Sequence, residues 1–164
     1  MVMSIEIRQY LQADEEAVVS LSLRAWAPVF ASIEEVIGTE IVTRLHGADW
    51  REYQSKSVRE TLSDREVRSW VAVEDGQVRG FAAATIRDQD RLLGEVVMLA
   101  VDPGDQDHGI GTSLTEHATE WLRQSGMRTA TIGTGGDLGH APARRVYEKA
   151  GYRLIPMARY FKAL

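Results

Sequence analysis

Apolar residues Val19, Leu23, Trp26 and Phe30 recur at spacings of four, three and four, so the chain from Asp14 onward presents one apolar stripe along a helix. Pro28 lies within that stripe and predicts a kink or an end there, because proline lacks the N–H that the helical ladder needs. Ile33, Ile37, Ile41 and Leu45 mark a second helix at four-residue spacing, and a more polar third is expected from Trp50 to Leu62. Ahead of these, Ser4 to Arg8 fits a short strand. The period then changes. Trp70 to Val73 and Val78 to Ile86 flank Asp75-Gly76, a dipeptide suited to a tight hairpin turn. Glu95 to Val101 is nearly all apolar, as expected of a strand buried on both faces.

After Pro103-Gly104 comes a glycine-bearing loop, then Ile110, Leu114, Ala118 and Leu122 at helical spacing, with Gly126 placed to end the helix. Thr129 to Thr134 reads as the strand that completes a strand–helix–strand crossover. A last helix has Pro142 in its first turn, carries Ala143, Val146, Tyr147 and Ala150, and stops at Gly151. Tyr152 to Leu164 is expected to add one or two final strands. The sum is an α/β (α+β) fold, a mixed sheet with helices on its faces.

Composition narrows the class. The chain has 164 residues, 44% hydrophobic and 26% charged, with no repeat or composition break, so residues 1–164 read as one domain. There is no cysteine, which excludes disulfides, thiolate nucleophiles and Cys-based zinc sites, and no metal site is expected. A formal net charge of -5 without a basic run disfavours nucleic acid. No apolar stretch approaches the roughly 20 residues that span a bilayer. The start is no secretory signal, so no membrane association and a cytoplasmic location are the expectations.

The candidate chemistry sits where the strand ending at Val101 feeds the helix starting near Gly109. A helix N-terminus offers unpaired N–H groups and partial positive charge, which suits phosphate. Gly109 and Gly111 allow close approach to the backbone, although Gly-x-Gly at such a turn is more often a plain connection. The stretch GEVVMLAVDPGDQDHGIGTSL resembles motif A of the Gcn5-related N-acetyltransferases, a strand ending in Leu-Ala-Val followed by Asp-Pro and Gln-x-x-Gly-x-Gly. Further on, ARRVYEKAGYRL resembles the same family's second signature, in the same order and at about the family's separation.

That resemblance implies the GNAT acyl-CoA N-acyltransferase fold, with a mostly antiparallel sheet splayed at one parallel strand pair. It implies acetyl-CoA as co-substrate, pantetheine along the main chain of Leu99, Ala100 and Val101, and pyrophosphate within Gln106, Asp107, His108, Gly109, Ile110, Gly111 and Thr112. A main-chain N–H near Leu99 would polarise the thioester. Tyr147 becomes the candidate general acid for the departing thiolate, against a plain core tyrosine. Glu95 becomes the candidate base, at the interval where histone acetyltransferases of this superfamily carry a catalytic glutamate, against a surface glutamate at a strand end. His140 stands where many relatives have asparagine and is a further candidate for contacts to the cofactor.

The sequence departs from the family in its charge. No Lys or Arg lies between Arg91 and Arg123, while the loop carries Asp102, Asp105 and Asp107. Phosphate is therefore expected to be held by main-chain N–H groups and the helix dipole, with Arg144 and Arg145 as nearby compensators or as a solvated helix start. For the acceptor, Trp26, Phe30, His46, Trp50 and Tyr53 are pocket candidates, with core packing the alternative for Trp26 and Phe30, while Asp88 and Asp90 suit either a cationic amine or a turn. A small-molecule amine or a peptide amine (an N-terminus or lysine) fits the resemblance. The rival is a module that binds acyl-CoA without turnover. Many family members are dimers, so a homodimer is allowed and not decided.

Overall fold

The computed structural model describes residues 4–164. Its sheet runs β1 (Glu6–Gln9), β2 (Val67–Glu74), β3 (Gln77–Asp88), β4 (Leu93–Val101) and β5 (Thr129–Ile132), neighbours in that order. All pairs are antiparallel except β4 with β5, which is parallel. Between β1 and β2 lie helices α1 (Glu15–Ile37), α2 (Thr39–His46) and α3 (Trp50–Ser63). Helix α4 (Ile110–Gln124) connects β4 to β5, and α5 (Ala141–Lys149) follows β5. The mixed, mostly antiparallel sheet expected from the sequence is present.

Alternation along the strands sorts side chains into two cores. Trp70, Ala72, Ala82, Ala84 and Val96 face Ile110, Leu114, Ala118 and Leu122 of α4. Val71, Phe81 and Ala100, on the other face, meet Val18, Val19 and Leu21 of α1 and Val58 of α3. The α4 side is close-packed: a Cβ at Gly80 would lie 2.9 Å from the Ala100 carbonyl oxygen and 3.0 Å from Leu114 Cδ1. The Asp75-Gly76 turn is tight as expected, with φ of 52° and 73° at its two residues.

Four expectations fail for physical reasons, the first being the single helix expected through Ile33, Ile37, Ile41 and Leu45, which Gly38 divides between α1 and α2. Helix α1 does not stop at Pro28 but runs on to Ile37, where Gly38 (φ 82°) ends it. Pro28 costs one ladder bond, and the buried faces of Phe30 and the preceding turns hold the helix together across it. By length and composition α1 with the 3₁₀ turn before it would also suffice to cross a bilayer. Here its apolar stripe is spent on the sheet. The tail does not add strands: no strand is assigned after Lys149, and Ile155, Met157 and Tyr160 are 77%, 88% and 90% exposed. Nor is β4 buried on both faces throughout, because Val97 is exposed and Met98 and Leu99 are half-buried. The reason lies in the cleft described below.

One polar contact ties the first strand to this core. The Arg8 guanidinium donates to both oxygens of Asp14 at 2.8 and 2.9 Å, and the Leu11 N–H donates to the same carboxylate at 2.8 Å. Arg8 thereby holds the buried Asp14 carboxyl below the usual carboxylate range, with the Leu11 N–H adding to the effect and burial opposing it. A depressed folded-state pKa means the contribution is complete above about pH 4, the unfolded value, and is lost as pH falls through the folded one. Asp14→Asn is expected to cost about 2 kcal/mol at pH 7 in urea unfolding, with the gap to the wild type closing below about pH 4.

Candidate functional site

Strands β4 and β5 pair over only four positions, from Leu93 with Thr129 to Val96 with Ile132. At Val97 the register of β4 against β3 slips by one residue: Val96 opposes Ala84 and Met98 opposes Ala83. This bulge bends β4. Beyond it, Met98 to Val101 keep their β3 partners but have none on the β5 side among the described residues. A splayed strand pair leaves backbone N–H and C=O groups that need partners. The gap is a cleft of about 320 Å³, of the size that small ligands occupy.

The cleft is walled by β4 from Val96 to Val101, by Trp26, Pro28 and Val29 of α1, by the loop entering α4, and by α5. Of the sequence candidates, Leu99, Ala100, Val101, Gln106, Asp107, Gly109, Gly111, Thr112, His140 and Tyr147 line it. Three do not. His108 is exposed to solvent, the Ile110 side chain belongs to the core under α4, and Glu95 stands apart, paired with Arg87 at 3.4 Å. Glu95 sits before the bulge, one residue out of step with the lining part of β4, and its charge is answered by the neighbouring strand.

The loop reaches α4 through two left-handed residues, Asp107 (φ 64°) and Gly109 (φ 82°), the latter being the N-cap. The first bond of the helix runs from the Ser113 N–H to the Gly109 carbonyl. The N–H groups of Gln106 to Thr112 have no acceptor among the described residues, a nest of donors at the positive end of a helix dipole. The acidity of the loop is largely cancelled within the fold. Asp102 pairs with Arg24 of α1, and Asp105 lies 3.6 Å from Arg79 of β3. The hydrogen bond from Arg24 holds the Asp102 carboxyl below the usual range against the opposing effect of burial. Neither of these two carboxylates lines the cleft, whereas Asp107 does. Arg145 and Lys149 add two cations to the wall, while Arg144 donates to the carbonyls of Gly135 and Asp137 at 2.6 and 2.9 Å.

Tyr147, in the second turn of α5, lines the same cleft. Burial pushes its phenol up to about 12, with the neighbouring Tyr152 adding to the effect, so it stays protonated at neutral pH. At the start of the same helix His140 Nδ1 lies 2.5 Å from Asp137 Oδ1. Asp137 Oδ2 accepts from Ser32 Oγ at 2.5 Å and from the Gly139 N–H at 3.2 Å. Burial raises the Asp137 carboxyl, but its hydrogen bonds outweigh that and leave it below the ordinary value. Sequence reasoning missed Asp137 and Ser32, which lie 105 residues apart and have no motif in common.

The proposed acceptor aromatics divide. Trp26 lines the cleft. Phe30 is buried, stacked on Trp50 at 4.5 Å and edge-on to His46 at 5.1 Å, and His46 meets Tyr53 at 4.7 Å. That cluster joins α1, α2 and α3, and burial lowers the pKa of His46. Asp88 ends β3 and accepts from the Arg91 N–H of the following turn at 3.0 Å.

The model of the acetyltransferase (GNAT) family matches residues 33–152. A mycothiol acetyltransferase of Beutenbergia cavernae is 32% identical over 102 residues, covering 56% of this chain and 34% of its own. One of Saccharomonospora viridis is 28% identical over 156 residues, covering 87% of this chain and 43% of its own. The chain thus spans well under half the length of these curated relatives. Among solved structures, the aminoglycoside N-acetyltransferase AAC(6')-Iy in complex with CoA superposes with a TM-score of 0.69 at 18% identity, covering 99% of this chain and 97% of that one. The PaiA N-acetyltransferase of Thermoplasma acidophilum, in complex with coenzyme A, gives 0.68 at 18% identity, covering 95% and 94%. At these identities the likeness establishes the fold.

The loop geometry yields a ranking. A Cβ at Gly111 would sit 3.3 Å from Val146 and 3.5 Å from Val101, at the base of the donor nest, whereas His108 points away. Gly111→Val is expected to weaken acetyl-CoA binding at least about tenfold by calorimetry while His108→Ala stays within about twofold, with thermal unfolding as the check on folding. The reverse order would refute phosphate binding by backbone.

Proposed function

Because the chain belongs to the acetyltransferase (GNAT) family, we propose that residues 1–164 form one N-acetyltransferase domain that moves an acetyl group from acetyl-CoA to a primary amine. The observation that carries this reading is the splayed edge of β4 leading directly into the donor nest before α4, with Tyr147 opposite. Pantetheine is a chain with amide groups, and an unpaired strand edge is the surface that complements it. Diphosphate is the group that a helix N-terminus with seven open N–H donors attracts. Two structural neighbours of the same fold are complexes with coenzyme A, which supports the choice of ligand.

In the reaction, main-chain donors of β4 near Leu99 hold the thioester oxygen as charge develops on it, and the amine attacks the carbonyl carbon. Tyr147, kept protonated by burial, gives its proton to the departing sulfur. A small amine is favoured as acceptor because the cleft beyond β4 is narrowed by Trp26, Pro28 and Val29. The names of the neighbours, mycothiol and aminoglycoside acetyltransferases, agree with a small acceptor. We place the reaction in the cytoplasm, where acetyl-CoA is made and used.

Thiol release from acetyl-CoA across a panel of amines (neamine, spermidine and a peptide with a free N-terminus) tests the activity. Tyr147→Phe is expected to lower kcat about 10²-fold with little change in the KM for acetyl-CoA. Full retention of kcat would remove Tyr147 from the mechanism, and acetyl-CoA binding without turnover on any amine would favour a sensing module.

A further inference from the structure

The acetyl-transfer reading leaves one proton unassigned. An amine that becomes an amide must lose a proton from nitrogen, and Glu95, which the sequence offered for this, is paired with Arg87 outside the cleft wall. We propose that His140, held by Asp137 and Ser32, is the catalytic base that takes this proton at Nε2. The inference rests on the function proposed above.

Three observations point to that atom. Nδ1 faces the Asp137 carboxylate at 2.5 Å, so Nδ1 carries the hydrogen and Nε2 the lone pair. The carboxylate is itself anchored, by Ser32 Oγ at 2.5 Å and the Gly139 N–H at 3.2 Å, so the ring has one orientation. Nε2 has no hydrogen-bond partner among the described residues and is not one of the sealed-off polar atoms, while the ring lines the cleft.

The backbone fixes the imidazole where α5 meets α1. A Cβ at Gly139 would lie 2.6 Å from Ser32 Cβ and 3.1 Å from the Pro28 carbonyl oxygen, so the loop rests against the α1 wall. His140 immediately precedes α5 and Tyr147 stands in its second turn, so the helical rise puts them about 10 Å apart along the axis, and both line the cleft. A hydrogen bond to sulfur, an attack distance and a hydrogen bond from nitrogen, about 3 Å each, together span about 9 Å. Acid and base therefore flank a reacting carbon between them. The charged and titratable groups around the ring are few. Asp137 is on its own loop; Arg144, Arg145, Tyr147 and Lys149 come from α5, and Asp107 from the phosphate-binding loop. The lining parts of α1 and β4 contribute none.

The step balances without a further reactant. The amine nitrogen bonds to the acetyl carbon, its proton passes to His140 Nε2, and the carbon–sulfur bond breaks with its electron pair going to sulfur. Tyr147 protonates that sulfur. The imidazolium then releases its proton to water and the phenolate regains one, leaving an amide and free coenzyme A.

The test compares wild type, His140→Gln, Asp137→Asn and Glu95→Gln, with acetyl-CoA affinity by calorimetry and kcat against pH on whichever panel amine turns over fastest. In the wild type kcat is expected to rise with pH and level off. His140→Gln should lower the plateau about 10²-fold and abolish that limb while acetyl-CoA affinity stays within about threefold. Asp137→Asn removes the charge that favours the imidazolium, so the limb should move to lower pH with a loss of about tenfold. Glu95→Gln should leave the profile in place. Retained kcat with acetyl-CoA affinity lost in His140→Gln would overturn the proposal and make the residue a pantetheine contact. An unchanged limb in both dyad variants, or a limb lost only in Glu95→Gln, would overturn it too. A wild type that binds acetyl-CoA but releases no thiol with any amine fails at the earlier step, and the base falls with it.

Discussion

The constraint on which this structure turns is the early parting of two parallel strands. β4 and β5 share four paired positions and then separate at a bulge, so a stretch of central strand is left with one edge bare. Backbone polar groups in the middle of a fold demand partners, and under the proposed function the demand is met by the pantetheine of acetyl-CoA. Everything functional is arranged around that bare edge. The loop before α4 lies at one end, α5 closes the side that β5 vacated, and α1 covers the opening. The partial exposure of Val97, Met98 and Leu99 is the same fact seen from the side chains.

Charge follows from the same arrangement. Three aspartates beside a phosphate site would be self-defeating if all faced the ligand. Arg24 and Arg79 reach in from α1 and β3 to occupy two of them. These arginines lie far from the loop in sequence, so the acidity that looks anomalous along the chain is internal pairing in space. What lines the cleft is the row of N–H donors, with Asp107 as the remaining carboxylate and Arg145 and Lys149 also in the wall.

Local patterns carried most of the fold. The stripe of α4, the Asp75-Gly76 hairpin and the Gly126 and Gly151 stops all act over a few residues, and all stand where the sequence placed them. The failures occur where tertiary contacts outvote a local rule, as in α1 running through Pro28. The tail is the converse, a strand-like composition with no strand assigned beside it. For the cleft, motif matching pointed to the loop and Tyr147, which line it together, because both lie in contiguous signatures. It passed over Asp137 and Ser32, whose partnership exists only once α1 and the α5 loop are brought together. It also offered Glu95 by spacing, evenly against a surface glutamate, and spacing carries no knowledge of Arg87 on the next strand.

Helix α1 is tied to the rim of the cleft at two places of different character. Near its middle Arg24 holds Asp102 through an ion pair whose arginine is 52% exposed. Two turns on, Ser32 holds Asp137 through a hydroxyl in a sheltered position. Dissolved salt weakens the first kind of tie and hardly touches the second. Rising ionic strength therefore weakens the tie at Asp102 and leaves the one at Asp137 in place, while the buried stripe of α1 keeps the helix on the sheet.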